Sequence, residues 1–276
     1  MTADKPLDDA AAAKAGVSPA RLASTMLLLR EGAAGMEIFM VVRHHEIDFA
    51  SGALVFPGGS VEPGDRDIAG RPELWSGGDG IDPDLLALRI GGVRETFEEC
   101  GVLLARPKGS QALIGAERLR VLDAARGDIE AGKLSFADLV AGENLVLALD
   151  LLVPFAHWIT PTRMPKRFDT HFFLAVAPAD QVAVHDGKEA VDSVWIGPRQ
   201  SLDEAKSGRF KILFPTERNL IKLARSQTAA EALARARSEP VVTVMPEMTK
   251  GEGGQRQLRI PKDAGYDGEV FDVSFG

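Results

Sequence analysis

The chain has 276 residues, of which 45% are hydrophobic and 26% charged, a globular mixture that excludes wholesale disorder and fibrous repeats. Its 40 acidic and 32 basic residues leave a formal charge of −8, which argues against general binding to nucleic acid or to an anionic membrane surface. A single cysteine, Cys100, excludes an internal disulfide, and the absence of a signal-type N-terminus or of any apolar run near 18 residues makes a cytoplasmic protein the expectation.

Residues 1–20, acidic and alanine-rich, are expected to form a flexible leader. Ser24–Glu31 and Glu37–Arg43 are apolar runs around Gly-Ala-Ala-Gly and predict a β-hairpin. Ala53–Phe56 predicts a short strand stopped by Pro57-Gly58-Gly59. Ser60–Ile81, rich in Gly, Pro and Asp, reads as a long loop. The next helix announces itself with Asp82 as N-cap, Pro83 at the first helical position and Asp84 at the positive end of the dipole. Leu85, Leu86, Leu88, Val93 and Phe97 make its buried stripe, and Gly101 is placed to close it. Gly91-Gly92 inside this helix costs about 1 kcal/mol per glycine relative to Ala, which implies close packing against another backbone.

Helical signals dominate Gly115–Asn144, with Ser135 as an N-cap. Three strands are predicted at Val153–Thr160, Phe168–Ala177 and Ala190–Ile196. Next come Ser201–Ser207 and a helical pair, Pro215–Ser226 and Ala229–Arg237, the latter opened by a Thr228–Glu231 capping box. Residues 240–276 read as short strands and loops. Strands before and after a central helix, without regular βαβ alternation, predict an α/β (α+β) protein with a mixed sheet flanked by helices.

Glu95, Glu98 and Glu99 stand at i, i+3 and i+4 and project from one side of the central helix. Three adjacent carboxylates repel one another and cannot all ionise at neutral pH without compensation. A hard cation such as Mg²⁺ supplies it, binding a few carboxylates together with water and substrate phosphate. Taken alone, a Glu-rich helix is more readily a solvated acidic face than a metal site. The upstream turn, Phe56–Asp65, changes that balance, because its Gly-rich backbone lets a bare carbonyl approach a cation.

Together, FPGG at Phe56–Gly59, an acidic residue six positions after Gly59, and REx₂EExGV over Arg94–Val102 resemble the Nudix hydrolase signature. Its form is G-x₅-E-x₇-R-E-U-x-E-E-x-G-U, with U aliphatic. Here Thr96 takes an aliphatic position, Asp65 replaces the glutamate, and 28 residues rather than seven precede Arg94. Such an insertion is similar to that of the acyl-coenzyme A diphosphatase branch, and Trp158–Pro161, Arg167–Thr170 and Trp195 extend the likeness.

The resemblance implies a Nudix-type αβα sandwich with extra helices. The Nudix domain would span 21–200, with 66–86 inserted inside the signature and 111–150 a helical insertion. Residues 201–276 would be a helical and β extension on the same domain. It also implies Mg²⁺ or Mn²⁺ bound by Glu95, Glu98, Glu99 and the carbonyl of Gly59. Glu98, Glu99 and Arg94 form the implied catalytic set, Arg94 as an ion-pair partner of Asp65 or of the glutamates. Arg43 and Gly52-x₃-Phe-Pro-Gly-Gly keep the spacing of a coenzyme A-type motif, with Asp48 where a second Arg is expected; Arg43 reads equally as a polar strand end. Arg163, Lys166 and Arg167 between two predicted strands suit either a basic ligand mouth or a solvated loop. Glu189 suits an auxiliary carboxylate or a surface salt bridge.

Bland readings fall to His44-His45-Glu46 (solvent or a pocket rim), Cys100 (a small core residue), and Trp158 and Trp195 (core or pocket walls). The expected partner is a small nucleoside diphosphate derivative. Coenzyme A or an acyl-coenzyme A would be cleaved to adenosine 3′,5′-bisphosphate and (acyl-)phosphopantetheine. Another derivative such as ADP-ribose or NADH, or a non-catalytic nucleotide sensor, is the alternative.

Overall fold

A computed structural model describes residues 18–43, 52–185 and 190–273. Its strands are β1 (Arg21–Gly32), β2 (Gly35–Arg43), β3 (Leu54–Val55), β4 (Gly58–Ser60), β5 (Trp75–Ser76), β6 (Ala105–Pro107), β7 (Leu145–Ala148), β8 (Val153–Ile159), β9 (Phe168–Val176), β10 (Ala190–Ile196), β11 (Thr243–Val244), β12 (Glu247–Lys250), β13 (Arg256–Arg259) and β14 (Val270–Asp272). The α-helices are α1 (Pro63–Ala69), α2 (Pro83–Cys100), α3 (Ala116–Asp123), α4 (Arg126–Glu130), α5 (Phe136–Gly142), α6 (Pro198–Lys206), α7 (Phe214–Leu223) and α8 (Ala229–Ser238).

Alternation along β1 decides the layering. Met26 and Leu28 turn to one face and Leu27 and Leu29 to the other, and all four are fully buried. A strand buried on both faces must be sandwiched. The main sheet runs β10-β2-β1-β9-β8-β11, with β3 beside β2 and β4 beside β1. It is mixed: β1·β9 and β8·β11 are parallel, and the other pairings are antiparallel. On one face lie α1, α2 and α5, through Ile68, Val93, Phe97, Phe136 and Val140. On the other lie α7 and α8, through Leu220, Leu223, Ala229 and Ala232. This is the expected αβα sandwich.

The predicted hairpin, the three central strands and the helices from Ser135 and Thr228 all form. Asp82 caps α2 by accepting from Asp84 N and Leu85 N, and Gly101 closes it in the left-handed region at φ 65°. Two expectations need correction. Ser60–Ile81 is not a loop: it holds α1, a 3₁₀ turn at Pro72–Leu74 and β5. Pro63 starts α1, Asp65 Oδ2 accepts from Glu62 N at 2.8 Å, and Ile68 and Leu74 are buried; seven residues are too few to show a helical period. At α8, Thr228 Oγ1 does accept from Glu231 N, but the Glu231 carboxylate takes the N–H of Gln227, one residue beyond the box position.

β5 also ties the two expected insertions together. It pairs in parallel with β7, which pairs with β6, and Arg106 grips Asp150 bidentately at 2.6 and 2.7 Å beside Ser76. Segments 66–86 and 111–150 thus each give one strand to a small sheet, completed by β6, against the α2 side of the core. Residues 1–17, the bulk of the expected leader, lie outside the described residues, as do His44–Glu46 and Glu189. Among the described residues no helix is long and apolar enough to cross a membrane.

The C-terminal segment is fastened by one buried polar chain. Trp158 Nε1 donates to the Tyr266 hydroxyl at 2.9 Å, and that hydroxyl donates to Asn219 Oδ1 at 2.8 Å. Burial outweighs the Trp158 hydrogen bond and raises the Tyr266 hydroxyl above its ordinary pKa, so it stays a donor. Tyr266→Phe would leave an indole N–H and an amide oxygen buried without partners, at a cost of about 1–3 kcal/mol. Urea unfolding should show that loss; a change below about 0.5 kcal/mol, the scale of a neutral surface change, would deny the chain its fastening role.

Candidate active site

The site is assembled where α2 crosses the start of β1. Gly92 lets the helix settle there: a Cβ at Gly92 would stand 2.7 Å from Ser24 Oγ and 2.9 Å from Met26 Sδ. Gly91 is turned toward Asp65, whose Oδ2 lies 3.0 Å from the Cβ position. The glycine pair thus admits side chains of β1 and α1 rather than the backbone expected from sequence. Thr96, the polar residue at an aliphatic position of the signature, is buried; its hydroxyl is accommodated by donating to the Gly92 carbonyl at 2.7 Å.

Arg94 lies beneath the acidic face with a side chain only 5% exposed. Nε and Nη2 grip the two oxygens of the fully buried Asp65 at 2.9 and 3.0 Å, and Nη2 also donates to the Ser60 carbonyl. Nη1 meets Glu95 at 2.9 Å and Glu98 at 3.3 Å. Burial opposes the charge of Arg94, but the Asp65 hydrogen bonds and the three carboxylates outweigh it and hold the guanidinium protonated. The 28 intervening residues therefore leave Asp65 and Arg94 in direct contact.

Glu95 is pushed up to about 7 by burial and by Glu98 and Asp65, against the pull of Arg94. Glu98 is also pushed up to about 7, by burial with Glu62 and Asp65 adding, again against Arg94. Glu99 Oε2 accepts from Gly58 N at 2.9 Å. Glycines let the facing turn approach this closely. A Cβ on Gly58 would stand 2.2 Å from the Ser24 carbonyl at φ 151°, and one on Gly59 would stand 2.4 Å from the Glu95 carboxylate. Glu95 and Glu99 thus meet bare backbone while Arg94 holds Glu98 beside them, and two of the three carboxyls resist ionisation without a cation. That oxygen-only donor set fits a hard divalent ion.

Arg43 ends β2, and alternation puts it on the face that Val41 turns toward α2. Its N–H donates to the Ala53 carbonyl and its carbonyl accepts from Gly52 N, so it is fixed to the strand leading into Phe56–Gly59. The loop carrying Arg163 and Lys166 opens at the same end of the sheet, since Arg21 N donates to the Arg167 carbonyl where β1 begins. Both side chains are exposed. Arg167, expected with them at a ligand mouth, is instead buried: Nε donates to the Thr160 carbonyl and Nη1 to the Ser18 carbonyl. It closes the base of the loop and leaves the basic pair at the tip.

Sequence reasoning missed one cluster. His157 Nε2 lies 2.5 Å from Asp169 Oδ1 and its Nδ1 lies 2.8 Å from Thr243 Oγ1, while the His171 ring stacks on it at 3.9 Å. Burial, reinforced by His157 and opposed by Asp169, lowers His171 to about 4. A period of two along β9 puts Asp169 and His171 on the α2 face, but along β8 it would group His157 with Val153 and Phe155 on the other; the register shift between Pro154 and Ala156 turns His157 to its partner His171.

The profile of the NUDT19 Nudix domain matches residues 76–223, just over half of the chain. The acyl-coenzyme A diphosphatase NUDT19 of Xenopus laevis is 24% identical over 225 residues, which cover 68% of this chain and 59% of that protein. Its Homo sapiens counterpart is 26% identical over 209 residues, covering 62% and 56%. The chain thus spans less than two thirds of either relative. A solved Nudix hydrolase from Alicyclobacillus acidocaldarius superposes with a TM-score of 0.65 at 28% identity, covering 79% of this chain and 96% of that one.

The two raised carboxyls give a signed pH effect. From the ordinary value of 4.5 up to about 7 the folded protein keeps protons that the unfolded chain releases, so this contribution to stability falls as pH rises and is lost in full above about 7. In EDTA the melting temperature of wild type should fall more steeply between pH 5 and 8 than that of Glu98→Gln, and saturating Mg²⁺ should lessen the fall. Parallel wild-type and variant profiles would contradict the assignment.

Proposed function

The chain belongs to the Nudix hydrolase family, and from that premise we propose that it is a Mg²⁺- or Mn²⁺-dependent diphosphatase acting on coenzyme A or an acyl-coenzyme A. The products would be adenosine 3′,5′-bisphosphate and (acyl-)phosphopantetheine. The observation that carries the catalytic part is the packing of Glu95 and Glu99 against Gly58–Gly59, with Glu98 held beside them by Arg94 of a buried Arg94–Asp65 pair. Intact carboxylates disfavour the sensor alternative. We read 21–200 as the catalytic domain and 201–276 as an extension packed on it.

Glu95, Glu98, Glu99 and the Gly59 carbonyl would hold the cation. When bound, it supplies charge neutralisation of the diphosphate, a lowered pKa for water and stabilisation of the leaving phosphate. The chain's own residues do the rest. The Gly58 N–H orients Glu99 through Oε2, Arg94 fixes Glu95 and Glu98, and Asp65 fixes Arg94. Glu98, partly exposed at the edge of the acidic face, would accept the proton of the attacking water.

The coenzyme A part rests on Arg43 at its spacing from Phe56–Gly59, on the exposed Arg163 and Lys166 at the same end of the sheet, and on the acyl-coenzyme A diphosphatase relatives. Those cations meet phosphate groups remote from the scissile bond, which answers how a chain of charge −8 holds a polyanion. Product analysis with coenzyme A esters, ADP-ribose, NADH and diadenosine polyphosphates, each with Mg²⁺ or Mn²⁺, tests the reading. Release of adenosine 3′,5′-bisphosphate from a coenzyme A ester is expected, and turnover confined to ADP-ribose would overturn the substrate. Glu98→Gln and Glu99→Gln should each lower kcat by about 10²-fold or more with the fold intact, the scale of lost acid–base and electrostatic stabilisation. Unchanged metal-dependent turnover in both would place the chemistry elsewhere.

A further inference from the structure

On the face of the main sheet that α2 covers, strand pairing lines up one row across five strands. Gly59 on β4 is registered with Ser24 on β1, Ser24 with His171 on β9, His171 with His157 on β8, and His157 with Thr243 on β11. At about 4.8 Å per strand, His171 stands roughly 10 Å and His157 roughly 15 Å from Gly59 along the row. The histidines thus lie two and three strands from the Gly59 turn and share its face of the sheet. Asp169 lies two residues before His171 and so points the same way. Its Oδ1 lies 2.5 Å from His157 Nε2 and 3.7 Å from His171 Nε2.

We propose that His157, Asp169 and His171 bind one divalent transition-metal ion of the Zn²⁺ class, at a site separate from the Nudix glutamates. Three features support it. The two imidazoles and the carboxylate offer ligand atoms that all lie within 4.8 Å of one another. A tetrahedral Zn²⁺ with bonds of about 2.0–2.1 Å holds its ligand atoms roughly 3.3 Å apart, a spacing that the two measured separations bracket. The two rings are stacked at 3.9 Å with 24° between their planes, so one imidazole has to turn about its side-chain torsions to aim its lone pair at the ion. Second, the mixed nitrogen and oxygen set selects Zn²⁺-like ions over Mg²⁺, which prefers oxygen alone.

Third, His157 has the outer support that metal-bound histidines usually have. Its Nδ1 lies 2.8 Å from Thr243 Oγ1, so with the ion bound an Nδ1–H donated to that hydroxyl would leave the Nε2 lone pair to the metal, in place of the proton that Nε2 and Asp169 Oδ1 share at 2.5 Å. The three side chains keep between 16% and 26% exposure, which leaves an approach for the ion and room for water in its remaining positions.

The test uses the full chain, stripped with chelator and returned to millimolar Mg²⁺. Zn²⁺ is titrated against a chromophoric competitor, and Co²⁺ is added in parallel to read the d–d absorption of a four-coordinate nitrogen–oxygen site. One Zn²⁺ per chain is expected, retained in a Glu98→Gln/Glu99→Gln double variant. Affinity should fall by about 10²-fold in His171→Gln and His157→Gln, and by about 10–100-fold in Thr243→Val, which keeps all three ligands and guards against a folding defect in the histidine variants. Loss of the bound equivalent in the glutamate variant with retention in the histidine variants would overturn the proposal. So would failure of wild type to bind one equivalent at micromolar Zn²⁺.

Discussion

Arg94 is almost wholly buried beneath an acidic helix face, and its charge has to be answered from inside the protein. Asp65 answers it with two hydrogen bonds, from a helix that begins 20 residues before α2. A buried ion pair gains little over an apolar replacement, yet removing one partner costs about 3–5 kcal/mol because the other charge is stranded. The pair therefore acts as a constraint on geometry more than as a source of stability. With two edges of the guanidinium occupied by Asp65 and Ser60, Nη1 is left to hold Glu95 and Glu98.

That constraint explains how the chain carries so long an interruption of the signature. The inserted residues begin within α1, which already places Asp65, and return through α2, which already places Arg94. Between these fixed points the chain is free to build elsewhere, and it does so by pairing β5 with β7. The small sheet buries Leu74, Leu145 and Leu147 against the α2 side of the core. The glycines are part of the same device. Gly91 and Gly92 bring α1 and β1 close to the helix, and Gly58 and Gly59 bring backbone close to the carboxylates. Larger side chains at these positions would separate the layers that make the site.

Much of this was legible in the chain. Asp82, Pro83 and Gly101 specify the ends of α2 through local chemistry, and two-fold alternation specifies β1, β2 and β9. The α1 helix was hidden because seven residues rich in Gly and Asp carry no period, and only the Glu62–Asp65 reciprocity and the burial of Ile68 define it. Arg167 looked like one of three loop cations because sequence spacing does not show which guanidinium meets backbone carbonyls. The meeting of His157, Asp169 and His171 depends on register between β8 and β9, a property of the pair of strands and not of either alone.

The central claim is that Asp65 organises the glutamates through Arg94, and Mn²⁺ binding to Asp65→Asn followed by electron paramagnetic resonance addresses it most directly. The isosteric amide keeps the shape of the side chain while removing the charge that answers Arg94. A fall in Mn²⁺ affinity of about 10-fold or more, the scale for residues that orient metal ligands, is the predicted result, together with lowered resistance to urea. Wild-type Mn²⁺ affinity in a variant of wild-type stability would contradict it.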